Sequence, residues 1–313
     1  MDNKSLRFNS GETGTGYYHQ WTPESPKAWL HIMHGMAEHS ARYAHIAEYL
    51  NQHGIMVTAD DHRGHGLTGE AANSLYHNGD KNSWNQMIDD QWQLINHIAS
   101  EQQLPIIIMG HSMGSFMAAR FCQIYGRQLQ SNIQGRLRGL VLSGSNYDSP
   151  AAFKIAAGIA WIERARLGVR NSSNLLEKLS FGSFNRKFTP QRTDRDWLSS
   201  DPAVVDSYIA DPLCGGALST ASWYDFIRGL IQLSQPAAMA KIDRDLPVYV
   251  FSGALDPVGG YGKGVVKLEQ ALLKAGLQHV ELKLYDNGRH EMLNEINKQD
   301  VYKDLTNWLQ RQL

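Results

Sequence analysis

The stretch Ile106–Phe121, IIIMGHSMGSFMAARF, decides how the chain is read. Four apolar residues run into Gly110, Ser112 stands between Gly110 and Gly114, and an alanine-rich segment of helical period follows. It is the one G-x-S-x-G in the chain. A strand that turns sharply into a helix at a serine forces strained backbone there and lifts the hydroxyl above the sheet. Side chains at the two glycines would collide with the adjoining strand and helix, so the turn requires small residues. The hydroxyl then lies by a helix N-terminus, where backbone N–H groups can receive developing negative charge.

Outward from this point the chain alternates short apolar runs with longer segments of helical period. AWLHIMHG (from Ala28), GIMVTADD (from Gly54), LPIIIMGH (from Leu104), LRGLVLSG (from Leu137), LPVYVFSG (from Leu246) and VELKLYDN (from Val280) read as strands. Their apolar character suits strands buried on both faces of a mostly parallel sheet. Segments near Leu6–Phe8 and Tyr17–Trp21 read as an antiparallel edge. Helices are expected after Ser40, after Ser83 (with Ser83 and Gln86 spaced as a capping box) and from about Asp300. The expected fold is α/β, an eight-stranded sheet flanked by helices. Residues 150–235 break the alternation: they show helical spacing and loop but no buried strand. They are too long for a simple crossover. They read as a helical cap inserted between strands 6 and 7, with residues 1–149 and 236–313 forming the core.

Serine is a weak nucleophile at neutral pH and needs a base oriented by a third group. In this architecture the chain order is serine, acid, histidine. Asp256 follows the LPVYVFSG strand and His290 follows VELKLYDN. Asp148 is an alternative acid, Asp286 lies only four residues from His290, and His279 precedes its strand. Asp256 and His290 are preferred. Oxyanion amides are expected at Met113, next to the serine, and at Met36, in the loop after an early strand. His34 reads as a loop-packing residue. The glycines in DDHRGHGLTGE make a tight loop around His62 and His65, which argues against a metal site.

Bulk properties bound the rest. The 313 residues carry 30 Lys and Arg against 31 Asp and Glu, so no basic bias suggests nucleic acid. Two cysteines, Cys122 and Cys214, read as free thiols. The N-terminus lacks the apolar segment of a secretory signal, and no run is long enough to span a bilayer. The reading is of a soluble cytoplasmic protein, with peripheral contact at the inner membrane left open.

The motifs H-G-x-x-E-H-x-x-R-Y at His34–Tyr43, D-H-R-G-H-G at Asp61–Gly66, G-H-S-M-G at Gly110–Gly114, S-G-x-x-D-P-V-G at Ser252–Gly259 and N-G-R-H-E at Asn287–Glu291 resemble the monoacylglycerol lipase and lysophospholipase branch of the α/β-hydrolases. That branch is also grouped with the serine aminopeptidases. The resemblance implies a nucleophile at Ser112, an acid at Asp256, a base at His290, oxyanion amides at Met36 and Met113, and cleavage of a single-chain lipid ester beneath a lid, without a cofactor. One position departs: Ala37 stands where glycine is common. Small-molecule lipids or esters are the implied partners, and the oligomeric state is not legible. Ile155, Ile159, Trp161 and Ile162 are candidates for the cap's outer face or an acyl-binding lining. An aminopeptidase would need acidic groups for a substrate ammonium; Glu163 and Asp225 are conceivable. A non-catalytic binding protein is the third reading.

Overall fold

A computed structural model describes residues 2–9, 15–132 and 137–313. Its strands are β1 (Asp2–Asn9), β2 (Thr15–Thr22), β3 (Ala28–Met33), β4 (Ile55–Asp61), β5 (Ile106–His111), β6 (Leu137–Ser143), β7 (Val248–Gly253) and β8 (Val280–Tyr285). They form one sheet in the order β1-β2-β4-β3-β5-β6-β7-β8. β1 pairs antiparallel with β2 and β2 with β4, while all pairs from β4 to β8 are parallel. Every residue of β3, β4, β5 and β7 is buried, as expected of strands covered on both faces. β8 departs from the fully buried expectation. It is an edge strand, and Glu281 and Lys283 on its outer face are exposed.

The core helices are α1 (Ala44–Asn51), α2 (Gly66–Ala71), α3 (Ser83–Glu101) and α4 (Met113–Asn132), joined after β7 by α10 (Lys263–Lys274) and α11 (Lys298–Arg311). Between β6 and β7 lie α5 (Pro150–Leu167), α6 (Asn174–Phe181), α7 (Pro202–Ala210), α8 (Thr220–Leu233) and α9 (Pro236–Met239). Apolar side chains pack on both faces of the sheet, and the cluster on one face continues through Phe226 and Leu230 of α8 into the inserted helices. The Phe226 ring sits 5.6 Å from Trp84 of α3 and 6.0 Å from Phe116 of α4.

The capping box expected at Ser83 does not form. Ser83 is the first residue inside α3, and Asn82 precedes it in the left-handed conformation. The Ser83 N–H and hydroxyl both donate to Asp225 Oδ2 of α8, at 2.7 and 3.0 Å. A carboxylate from a distant helix therefore caps α3, a tertiary solution that local spacing does not reveal. No helix among the described residues is long and apolar enough to cross a membrane.

Candidate active site

β5 delivers Ser112 to its upper end. Ser112 holds φ 51°, a left-handed backbone that a serine adopts only under constraint. Its N–H donates to Ser143 O at 2.9 Å, and its carbonyl accepts from the Ser115 N–H and hydroxyl at 2.9 and 2.6 Å. A Cβ at Gly110 would stand 2.0 Å from Gly114 O, and one at Gly114 would stand 2.0 Å from Met33 O. Both glycines are therefore needed for the close approach of strand and helix.

Loops after β7 and β8 bring Asp256 and His290 together. His290 Nδ1 lies 3.0 Å from Asp256 Oδ1, and both side chains are buried. The same Asp256 Oδ1 accepts the Val258 N–H at 2.9 Å, and Oδ2 accepts the Ser252 hydroxyl at 2.9 Å. Burial opposes charge on the His290 ring, but the Asp256 carboxylate outweighs it, and the ring's pKa rises above its ordinary value. Burial likewise opposes the Asp256 charge, yet the imidazole and these hydrogen bonds hold the carboxylate below its ordinary pKa. His290 and Ser112 line one small cavity of about 40 Å³. With Nδ1 committed to Asp256, Nε2 is the ring atom free for a hydroxyl. Asp148, Asp286 and His279 are exposed and take no part in this pair. His111, beside the serine, is pushed down to about 4 by burial and by the nearby His290, so it is neutral.

The amides of Met36 and Met113 have no hydrogen-bond partner among the described residues. Met36 lines the cavity, and Met113 opens α4, where N–H groups have no intrahelical acceptor. Ala37 holds φ 54°, which explains why glycine suits this position. Its carbonyl is fixed by the inserted segment: it accepts the Gly215 N–H and the Tyr208 hydroxyl, each at 2.9 Å.

The sequence motifs contained residues whose work was not foreseen. Glu38 Oε1 accepts the Gly35 N–H at 2.6 Å and the Tyr43 hydroxyl at 2.9 Å, while Oε2 accepts from Arg42 at 2.6 Å. Arg42 also makes a bidentate pair with Glu291, at 2.9 and 2.7 Å. Burial opposes the charge on Glu291, and Arg42 overcomes it and holds the carboxyl below the usual range. One guanidinium thus ties the Met36 loop to the His290 loop. Trp197 was missed as well: its ring centroid is 5.0 Å from that of His290, and its carbonyl accepts the His290 N–H.

The D-H-R-G-H-G segment buttresses the Met36 loop from behind. The His34 and His62 rings stack at 3.8 Å; His34 Nε2 accepts the His62 N–H, and His62 Nε2 lies 3.2 Å from His34 O. His62 Nδ1 pairs with Asp60 at 2.8 Å. Asp61 receives the Ser40 N–H and hydroxyl and the Leu67 N–H.

A second, apolar space, narrow at about 30 Å³, begins one turn into α4. Phe116 and Leu142 line it from the core, Phe153 and Leu230 from the inserted helices. None of the four expected cap residues lines either space. Ile155, Trp161 and Ile162 are exposed at 73%, 59% and 57%, and Ile159 is half-buried against the core. The helical stripe on α5 was legible, but which side faced inward was not: α8 covers the other face. Glu163 is spent on Arg166 and Ser173, and Asp225 on Ser83, so neither offers a free carboxylate to this cavity.

A sheet of this order, carrying a serine elbow at the end of its fifth strand, belongs to the α/β-hydrolase class. Within that class the chain belongs to the family described as serine aminopeptidase, S33, whose model matches residues 24–297. It is 28% identical to a monoacylglycerol lipase of Mycolicibacterium smegmatis over 93% of this chain and 91% of the relative. It is 25% identical to the monoglyceride lipase of Homo sapiens over 92% and 84%. The crystal structure of a thermostable carboxyl esterase from Bacillus coagulans, in complex with glycerol, superposes with a TM-score of 0.88 at 28% identity, covering 99% of this chain and 98% of that one. These relatives agree with the branch that the motifs suggested.

Proposed function

We propose that this chain hydrolyses carboxylic esters of single-chain lipids, monoacylglycerols or lysophospholipids, through an acyl-enzyme on Ser112. His290 Nε2 takes the Ser112 proton as the hydroxyl attacks the ester carbonyl. The Met36 and Met113 amides receive the oxyanion, each stabilising the transition state by roughly 3 kcal/mol. His290 then protonates the leaving alcohol, and water repeats the cycle. Asp256 holds the ring in the tautomer that presents Nε2 and stabilises its charged form. No cofactor enters the scheme.

The observation that carries the reading is the pairing of His290 with Asp256 in a cavity it shares with Ser112, beside a separate apolar space. The apolar lining of the second space suits an acyl chain once the space widens, and the Ser112 cavity, with Arg195 and Glu177 in its wall, suits the alcohol or headgroup. Residues 150–235 act as the cap and residues 1–149 and 236–313 as the catalytic core. The names of the relatives, lipases and a carboxyl esterase, favour esters over peptides, and the two acidic residues considered for an ammonium are engaged elsewhere. Fluorophosphonate labelling tests the nucleophile: wild type should label and Ser112→Ala should not. Turnover of p-nitrophenyl esters without turnover of aminoacyl-naphthylamides is expected; the reverse preference would overturn the ester assignment.

The outward face of α5 further suggests transient contact with a membrane surface, since Ile155 and Ile162 share a stripe beside Trp161. Leu175 and Leu179 of α6 add exposed apolar surface. Co-sedimentation with anionic lipid vesicles should fall when Ile155, Trp161 and Ile162 are all changed to serine. Unchanged sedimentation would refute this contact.

A further inference from the structure

A second cluster of chemically capable groups lies outside the Ser112–His290 cavity, where the inserted helices meet the Met36 loop. His39 Nε2 stands 2.8 Å from Asp211 Oδ2, and the Cys214 sulfur completes a set whose ligand atoms all lie within 4.8 Å of one another. Asp211 and Cys214 are presented by one turn. Asp211 follows the last residue of α7 as its C-cap, its Oδ1 accepts the Leu213 N–H at 2.9 Å, and its carbonyl accepts the Cys214 N–H at 3.1 Å. The spacing Asp-x-x-Cys is that of paired ligands in many zinc sites, and the third ligand arrives from a separate loop.

We propose that His39, Asp211 and Cys214 bind one borderline-soft divalent cation of the zinc class, clamping the turn after α7 to the loop that carries the Met36 amide. The ligand set is one imidazole, one carboxylate and one thiolate, with a fourth position left for water. In a tetrahedral site such ligand atoms stand roughly 3.4–3.7 Å apart. The ring and carboxylate would separate by about 0.6 Å, and no other pair would need to close by more than about 1 Å. Side-chain rotation on a preformed turn can supply both. Carboxylate and thiolate together neutralise a divalent charge. The neighbouring cation, Arg42, is already occupied by Glu38 and Glu291. His39, Asp211 and Cys214 are each partly exposed, which provides an entry path. The turn and the loop already touch, through Gly215 N–H to Ala37 O, so a bound ion would reinforce an existing contact.

The test uses the full chain, stripped with EDTA and titrated with Zn²⁺ against a chromogenic chelator. One equivalent is expected to bind. Cys214→Ser and His39→Asn should each weaken binding at least about tenfold, and Cys122→Ser should leave it unchanged. One equivalent of Co²⁺ should give a thiolate-to-cobalt charge-transfer band in wild type that Cys214→Ser lacks. Circular dichroism and melting of each metal-free variant are recorded first. Zn²⁺ should raise the wild-type melting temperature and leave that of both ligand variants unmoved. Absence of a stoichiometric site in wild type, a cobalt spectrum without the thiolate band, or equal affinity in folded Cys214→Ser would each overturn the proposal.

Discussion

Replacing Arg42 by methionine should injure stability and catalysis together, and the structure gives the size of the effect. The Arg42 side chain is 12% exposed, and those of its partners Glu38 and Glu291 only 4% and 5%. Removing the guanidinium leaves two carboxylates without their countercharge in a nearly dry setting, which costs about 3–5 kcal/mol. Unfolding entropy of roughly 2.1 cal/mol/K per residue over 313 residues is about 0.66 kcal/mol/K. The expected fall in Tm is therefore roughly 5–8 °C. Glu38 also holds the Gly35 N–H, so the Met36 amide should drift and kcat on a short p-nitrophenyl ester should drop by about 10-fold to 100-fold. The triple variant Glu38→Gln, Arg42→Met, Glu291→Gln removes the uncompensated charges and should recover at least half of the lost Tm without restoring kcat. Differential scanning calorimetry and initial rates read both quantities. A single variant melting within 1 °C of wild type, or a triple variant no more stable than the single, would refute the argument that charge compensation is what Arg42 supplies.

Further expectations follow from the same geometry. Asp256→Asn should lower kcat by about 10⁴-fold while leaving fluorophosphonate access to Ser112 open, measured by stopped initial rates. Because Asp256 raises the His290 pKa and the base must be neutral, the rising limb of kcat/KM against pH should have its midpoint above the ordinary value of 6.5. The corresponding stability contribution should be full below 6.5 and fade as pH rises through the elevated folded value, which calorimetry across pH can follow. Ala37→Gly relieves a left-handed alanine and should raise Tm by about 1–2 °C, corresponding to roughly 1 kcal/mol. Leu230→Trp should fill the apolar space and penalise long-chain esters: each methylene excluded costs about 0.8 kcal/mol, close to fourfold in kcat/KM. A chain-length profile that stays flat would remove that space from the acyl assignment.

The sheet was legible because its central strands are buried on both faces and appear as unbroken apolar runs, each ending where a glycine or a charged residue marks a loop. Ser112, Asp256 and His290 could be proposed for a related reason, that chain order and strand ends restrict where a nucleophile, an acid and a base can stand, and the structure pairs the last two. What escaped the sequence was contact across long separations. Asp225 capping α3, Arg42 bridging two loops and Trp197 lying against His290 each join segments that no periodicity relates. The inner face of α5 escaped too, since alanine, glycine and isoleucine recur around the whole helix and only the position of α8 decides which side is covered.

The inserted segment is bonded to the loops beneath it, and the bonds to the candidate site bear on how substrate would enter the proposed enzyme. The His290 and Glu291 N–H groups donate to Trp197 and Leu198, and the Ala37 carbonyl is held from Tyr208 and Gly215. The stretch from Trp197 to Gly215 is thus a fixed wall of the reaction chamber, and lifting it would dismantle the machinery it covers. We propose that α5, held to a core loop through Arg164 and Asp80 O, and α6 set which long molecules are admitted. A chimera that exchanges only those two helices with a relative should change what is admitted, whereas one that exchanges everything between β6 and β7 should lose its chemistry.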